Sequence, residues 1–138
     1  KPSIVAGGGS PEAYLATELN EWTGSSEGRE QLAIKQYAEA LESIPLTIAE
    51  NAGMDPIDSL ITLRANQSNG KQTVGINARE GKIGNMFSLD IVEPLAVKEQ
   101  IIKSATEAAC MILRIDDVIA VSGGPGAGGP PPGMPPMG

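Results

Sequence analysis

Three consecutive glycines placed directly before a helix start constrain this chain more than any other feature. Ile4 and Val5 are strand-like, and residues 7–9 are all glycine, followed by Ser10 and Pro11. Glycine has no Cβ, so its backbone can adopt positive φ angles and approach a neighbour or a ligand closely. We predict that Ser10 is the N-cap and Pro11 the first residue of the following helix.

The glycine junction has two interpretations. In the first, free N–H groups and the positive end of the helix dipole bind a phosphate, or the open backbone accepts a flat base or a ribose. In the second, the glycines form a turn that packs the helix tightly against a neighbouring strand. No Lys-Ser or Lys-Thr pair follows, which excludes a Walker A loop, and Glu12 stands where the dinucleotide pattern requires a third glycine.

Composition narrows the classes of protein that are possible. A chain of 138 residues is long enough for one modest domain, and with 3% aromatic residues its core must consist of Ala, Ile, Leu and Val. A net charge of −7 argues against a nucleic-acid partner. No apolar run approaches the roughly 20 residues that span a bilayer, and the start of the chain lacks the layout of a secretory signal. We therefore expect neither nucleic-acid nor membrane binding.

Histidine is absent, and Cys110 is the single cysteine. The commonest general base and the commonest zinc ligand are thereby excluded. Cys110 lies between Ala109 and Met111, which predicts a buried thiol that acts as a small apolar group rather than as a nucleophile. A reducing, cytoplasmic location is the expectation.

Three amphipathic patterns predict helices in the first half of the chain, over residues 11–22, from about residue 27 to 51, and from residue 56 to about 65. Pro45 lies inside the second and is expected to kink it. Gly53 is placed to end that helix in a left-handed cap, and Asp55 with Pro56 predicts the start of the third.

The second half changes character. Residues 73–77 and 82–86 predict a small β-hairpin around Arg79-Glu80-Gly81. Residues 94–113 predict a central helix that is buried on several sides, and residues 113–121 an exposed edge strand. Residues 122–138 are almost entirely Gly, Pro and Met, which predicts a mobile tail. The predicted fold is therefore mainly α, with one small hairpin and a C-terminal edge strand.

In this order, the segments resemble the C-terminal part of a group II chaperonin subunit, the family of the archaeal thermosome and its eukaryotic cytosolic relatives. The resemblance rests on residues 5–12 (VAGGGSPE), 28–34 (GREQLAI), 44–56 (IPLTIAENAGMDP), 102–109 (IKSATEAA) and 111–119 (MILRIDDVI), and it extends to about Val121. A tail rich in Gly and Met is also typical of that family.

The resemblance implies that residues 1–121 are the C-terminal part of an equatorial domain, a mostly helical unit that binds ATP, and that residues 122–138 are a disordered tail. It also implies a set of residues that border ATP or ADP. In the family pattern, glycines lie against the nucleotide, the hairpin turn borders the adenine, and an acid with a nearby lysine approaches the ribose: Gly8, Gly9, Asn77, Ala78, Arg79, Glu93 and Lys98. The alternatives are a plain turn residue for Asn77 and an acid at a helix start for Glu93.

Other parts of the family's machinery precede the first residue of this chain. They are the Gly-Asp-Gly-Thr loop that clamps phosphate, the acid that holds Mg²⁺, the aspartate that positions the attacking water, and the apical domain. We therefore expect this segment alone to show no ATP hydrolysis and Mg²⁺ to be held by residues outside it.

The family also implies that the last strand pairs with a hairpin of the neighbouring subunit in a double ring. Asp116 and Asp117 are interpreted as a solvated strand edge rather than as a metal pair, since adjacent strand residues face opposite ways.

Two functions from different classes follow. The first is part of an ATP-dependent chaperonin subunit that folds unfolded client proteins inside a double-ring chamber. The second is a free-standing helical interaction module that binds no nucleotide. A small nucleotide-binding enzyme is disfavoured, because the phosphate machinery is missing.

Overall fold

The computed structural model describes residues 3–25 and 27–122, with side chains as far as residue 115. The elements along the chain are β1 (Ile4–Ala6), α1 (Ser10–Trp22), a 3₁₀ turn (Thr23–Ser25), α2 (Arg29–Asn51), α3 (Pro56–Ser68), β2 (Val74–Asn77), β3 (Lys82–Asn85), β4 (Val92–Pro94) and α4 (Leu95–Ser122). The chain divides into two units, Lys1–Lys98 and Glu99–Gly138, so that the boundary falls inside α4.

Helices α1, α2 and α3 form the body of the first unit, where each packs on the other two. Small side chains let the helices approach closely: Ala13, Ala16 and Ala38 are completely buried. Ala13 packs with Leu63 and Val74, and Ala16 packs with Ala38 and Leu41. The prediction of an aliphatic core without aromatic residues is confirmed.

Two short antiparallel ladders complete the first unit. Strands β2 and β3 form the predicted hairpin, with Gly75 opposite Gly84, and Gly81 in the turn has a φ of 61°. Strand β1 pairs with β4, which the sequence did not predict as a strand, and Val5 lies opposite Glu93. A residue before proline favours extended backbone, which explains why the chain is straight at Glu93.

The second and third helices begin and end largely as the sequence predicts. The side chain of Asp55 accepts a hydrogen bond from the Asp58 N–H at 2.9 Å, as an N-cap should. Gly53 has a φ of 75° and lies just beyond the end of α2. Pro45 lies inside α2, which continues to Asn51 without ending at the proline.

The predicted cap of α1 is wrong by one residue. Gly9, with a φ of 72° and a ψ of 10°, is the N-cap, and Ser10 is the first helical residue. The Ser10 hydroxyl does not cap the helix but donates a hydrogen bond to the carbonyl of Gln72 at 2.9 Å. A buried hydroxyl requires a partner, and here a tertiary contact meets that requirement.

The predicted C-terminal edge strand is also wrong, because α4 continues as a helix to Ser122. A strand needs a second strand to satisfy its backbone groups, whereas a helix satisfies them within itself. No such second strand is found among the described residues, so the β-branched residues of this segment continue the preceding helix. The predicted tail, residues 123–138, lies outside the described residues.

The prediction that the last helix is buried on several sides is wrong for this chain. In the second unit, Ile101 is 52% exposed and Ile112 is 63% exposed, and the thiol of Cys110 is exposed rather than buried. The described part of that unit is this helix alone.

Candidate functional site

A cavity of about 640 Å³ lies in the first unit, at the level of the glycine turn. Four stretches of chain enclose it: the glycine turn, the last part of α2, the end of β2 with the hairpin turn, and the loop before β4. Its lining residues are Gly8, Ile48, Ile76, Asn77, Ala78, Arg79, Glu80, Leu89, Asp90 and Ile91. Cavities of this size accept a ligand about as large as a nucleoside.

Gly8 lines this cavity in a conformation that only glycine adopts easily. Its φ is 63°, and a Cβ at this position would stand 2.5 Å from the carbonyl oxygen of Ile76 and 2.7 Å from the sulfur of Met86. The Gly8 carbonyl accepts a hydrogen bond from the Ile76 N–H at 2.9 Å, which joins the turn to β2. The absence of a side chain therefore lets the turn lie directly against the hairpin.

The neighbouring glycines are buried in close packing. A Cβ on Gly7 would meet Ile91 at 2.9 Å, and a Cβ on Gly9 would meet the ring of Pro45 at 2.7 Å. This agrees with the interpretation of the run as a tight packing turn. Gly9, which the family pattern places at the nucleotide, is not among the residues that line the cavity.

The first turn of α1 offers few N–H groups to an anion. The Ser10 N–H donates to the Gly7 carbonyl at 3.2 Å, Pro11 has no N–H, and the buried carboxylate of Glu12 already lies in this turn. These contacts do not favour a phosphate at the helix start, so the glycine junction fits a base or a ribose better.

The end of β2 and the hairpin turn bring Asn77, Ala78 and Arg79, three of the candidate residues, to the cavity. Asn77 is 3% exposed, and its side-chain oxygen accepts hydrogen bonds from the N–H groups of Arg79 at 3.2 Å and Glu80 at 3.4 Å. The turn interpretation of Asn77 is thus correct, and the residue also lies at the cavity wall. Ala78 is exposed there.

The cavity wall combines apolar side chains with a charged rim. Ile48, Ile76, Leu89 and Ile91 supply apolar surface, and Asp90 carries one of the charges. Asp90 has a φ of 55°, a left-handed conformation that aspartate tolerates better than most residues. Apolar faces with polar groups at the edge suit a flat heteroaromatic ring.

The remaining two candidates lie together but outside the cavity lining. Glu93 lies in β4. The Lys98 ammonium forms two ion pairs, one with Oε2 of Glu93 and one with Oε1 of Glu12. The Glu12 side chain is 1% exposed, that of Lys98 12%, and that of Glu93 40%. The structure therefore places four of the seven candidates at the cavity and two in an ion-pair group, while Gly9 belongs to neither.

The two carboxylates change the acidity of the lysine. Burial alone lowers the pKa of the Lys98 ammonium, but its hydrogen bonds to Glu12 and Glu93 and their negative charges outweigh burial and raise the pKa above its usual value. Lys98 is accordingly a fixed cation near neutral pH.

Sequence reasoning missed several residues of this region. Ile48, Leu89, Asp90 and Ile91 come to the cavity from α2 and from the loop before β4, and nothing in their local pattern marks them. Glu12 had one signal, since an acid next to an apolar helix stripe and a glycine turn is placed to be buried. From the sequence, Glu12 is interpreted only as a departure from the dinucleotide pattern.

No group of three or more Cys, Asp or Glu side chains in the described part of the chain is arranged to hold a metal ion. None of its helices has the length and apolar character needed to cross a bilayer.

Comparison with known proteins identifies the class to which this fold and site belong. The model of the TCP-1/cpn60 chaperonin family matches residues 1–122, so the chain belongs to that family. Its architecture, mainly helical with small sheets, matches a fragment of a chaperonin equatorial domain.

Individual relatives agree with this assignment. The chain is 49% identical to thermosome subunit alpha of Sulfolobus acidocaldarius, over 98% of this chain and 26% of that protein. It is 56% identical to thermosome subunit alpha of Halobacterium salinarum, over 85% of this chain and 21% of that protein. A solved structure, the open-state monomer of a group II chaperonin from Methanococcoides burtonii, superposes with a TM-score of 0.78 at 47% identity, over 80% of this chain and 28% of that chain. This chain thus spans about a quarter of the length of these relatives.

Proposed function

We propose that this chain supplies the base and ribose side of an ATP or ADP site in a group II chaperonin subunit. The observation that carries the proposal is the cavity of about 640 Å³, which brings Gly8 together with Asn77, Ala78 and Arg79. Gly8 is far in sequence from the other three residues, and the family pattern places all four at the nucleotide. Family membership supports the proposal independently.

The adenine is assigned to the cavity, between its aliphatic walls. Such walls exclude water from the part of a flat ring that lies against them, and this hydrophobic contact favours binding. This arrangement explains how a chain with 3% aromatic residues can bind a base without stacking it on an aromatic side chain.

The ribose is assigned to Glu93. Ile91 lines the cavity, and Glu93 follows two residues later in extended chain, a separation of about 7 Å. A carboxylate can accept hydrogen bonds from two adjacent hydroxyls, and such charge-assisted bonds are stronger than neutral ones. Glu93 is still 40% exposed although it is paired with Lys98, so it is accessible to a ligand.

The rest of the function depends on parts of the family's architecture beyond this segment. We propose that the phosphates and Mg²⁺ are held by residues outside this chain, and that the complete subunit assembles into a double ring that encloses unfolded client proteins. This segment alone is then expected to bind nucleotide weakly and to hydrolyse none.

Filling the cavity tests the proposal. Ala78 is exposed and lines the cavity, so Ala78→Trp should occupy the base position without disturbing the core. We expect the Kd for ADP to rise at least about tenfold, the effect of displacing a well-packed ligand group. Isothermal titration calorimetry of the natural-length protein that contains this sequence measures this Kd. Ala40→Trp is the matched control, because Ala40 is exposed on α2 and does not line the cavity.

Two results would contradict the proposal. One is unchanged ADP affinity in the folded Ala78→Trp variant. The other is the absence of ADP binding by the unaltered protein at millimolar nucleotide, which would favour the interaction module that binds no nucleotide.

A further inference from the structure

Glu12 is a buried carboxylate that the proposed nucleotide contacts do not use. It lies in the first turn of α1 and is 1% exposed. Its Oε1 pairs with Lys98, while its Oε2 is buried and has no hydrogen-bond partner among the described residues. A buried carboxylate oxygen without a partner is unfavourable for folding. The stability of the fold alone therefore does not explain why a glutamate occupies position 12.

Lys98 connects this buried acid to the exposed one. Its ammonium is shared between Glu12 on α1 and Glu93 on β4, and its side chain is only 12% exposed. A lysine on the surface samples many rotamers, whereas this one is held at both carboxylates. The three side chains therefore form a chain of contacts that runs from the helix to the strand.

The charge balance of the group keeps Glu93 able to accept hydrogen bonds. One ammonium between two carboxylates leaves a net charge of −1, so Lys98 does not neutralise Glu93 completely. Lys98 pairs with Oε2 of Glu93, and an ionised carboxylate has about four lone-pair positions. Acceptor positions are left for two hydroxyl groups.

We propose that Glu12 is a positioning residue for the ribose contact: it anchors Lys98, and Lys98 in turn fixes the carboxylate of Glu93 in the orientation that accepts the two ribose hydroxyls. This inference depends on the proposed function, because it presupposes a nucleotide whose ribose reaches Glu93. It assigns to Glu12 a role in discriminating ribose from sugars that lack hydroxyls, without any contact between Glu12 and the nucleotide.

The test measures the Kd values of ADP and of 2′,3′-dideoxy-ADP for the gene product at its natural length. Their ratio isolates the contribution of the hydroxyls from that of the base and phosphates. In the unaltered protein, ADP should bind at least about tenfold more tightly, and Glu93→Gln should bring the two values close together. Glu12→Gln, which keeps the shape of the side chain, should reduce the ratio at least about threefold, and the double variant should reduce it no further than Glu93→Gln alone.

Glu42→Gln is the matched control. Glu42 is also a buried glutamate, 5% exposed and ion-paired with Arg64, but it lies outside the cavity lining. It should lower stability and leave the ratio within about twofold. A general loosening of the fold would affect both variants equally, whereas positioning affects only Glu12→Gln.

Glu12→Asp gives a second variant in case the first does not fold, since it keeps the charge but shortens the side chain by one methylene. It should also reduce the ratio. The inference is overturned if either Glu12 variant folds and keeps the original ratio while Glu93→Gln loses it. Failure of the proposed function gives a different result, because the unaltered protein would then bind neither nucleotide, or Ala78→Trp would leave ADP binding unchanged.

Discussion

At the scale of single residues, Gly8 is a position where any side chain must disturb the structure. A Cβ would stand 2.5 Å from the Ile76 carbonyl oxygen and 2.7 Å from the Ile76 nitrogen, and the backbone φ is 63°. We expect Gly8→Ala to lower the free energy of unfolding by about 3 kcal/mol, because left-handed strain adds to a clash with backbone atoms that cannot move aside. Urea unfolding measured by circular dichroism checks this value.

Gly53→Ala separates the cost of left-handed backbone strain from the cost of the clash. Gly53 has a φ of 75°, and nothing lies within 4 Å of the place where its Cβ would be. Only the conformational cost of about 1 kcal/mol should appear there. Equal losses at the two positions would show that the close approach to β2 contributes nothing.

Residue types predicted local backbone features better than tertiary contacts. The glycine run, the hairpin asparagine and the acid before Pro94 were all identifiable from the sequence, because each serves a local backbone requirement. The contacts of Ser10 with Gln72 and of Glu12 with Lys98 join residues 62 and 86 positions apart. No local pattern carries such information, so Ser10 was predicted as a cap and Glu12 was missed.

At the scale of elements, an ion pair between a buried carboxylate and a partly exposed guanidinium joins α2 to α3. Oε1 of Glu42 accepts a hydrogen bond from Nε of Arg64 at 3.0 Å, and the side chains are 7% and 41% exposed respectively. We expect Arg64→Met to lower the free energy of unfolding by about 3 kcal/mol, because it leaves a carboxylate buried without a partner. Glu42→Gln should cost only about 1 kcal/mol, since water can reach the guanidinium that remains.

The prediction is that Arg64→Met lowers the free energy of unfolding more than Glu42→Gln does. Denaturant titration of both variants measures the two losses. The pair between Lys82 and Glu80 is the exposed control, at 63% and 47% exposure, and Lys82→Met should change stability by less than about 0.5 kcal/mol. A larger loss in Glu42→Gln than in Arg64→Met would contradict the assignment of the buried charge to Glu42.

Elements whose backbone hydrogen bonds are local were predictable from the sequence. Elements whose backbone hydrogen bonds require a strand distant in sequence were not. Helices α1 to α3 and the hairpin β2–β3 follow from apolar spacing, proline positions and turn residues. Strand β4 exists because β1 pairs with it across 88 residues, from Val5 to Glu93. The predicted strand over residues 113–121 failed for the same reason, since it requires a second strand that the described residues do not provide.

At the scale of the whole molecule, the exposed apolar residues of α4 indicate where further contacts are needed. Met111, Ile112, Leu113 and Ile115 are between 57% and 67% exposed. The chain covers only about a quarter of the length of its relatives, and a surface of this kind in a family of ring-forming proteins fits contact with more protein.

Shortening the chain tests the role of residues 114–122 in assembly. Ending the gene product after Leu113 should reduce ring formation while the Kd for ADP changes by less than about twofold, because the cavity lies entirely before Lys98. Analytical ultracentrifugation and negative-stain microscopy measure the assembly. A product that ends after Ser122 is the control and should assemble normally. Intact rings from the shorter product would refute the assembly role.

The cavity has a thermodynamic consequence that follows from how it is enclosed. Its walls come from residues 8, 48, 76–80 and 89–91, so it exists only after the glycine turn, α2, the hairpin and the loop before β4 have come together. A ligand that fills it adds its binding free energy to the folded chain and nothing to the unfolded one, about 2.7 kcal/mol at one hundred times its Kd. Ligand binding at this cavity and folding are then one coupled equilibrium, so that the proposed nucleotide would stabilise the folded chain.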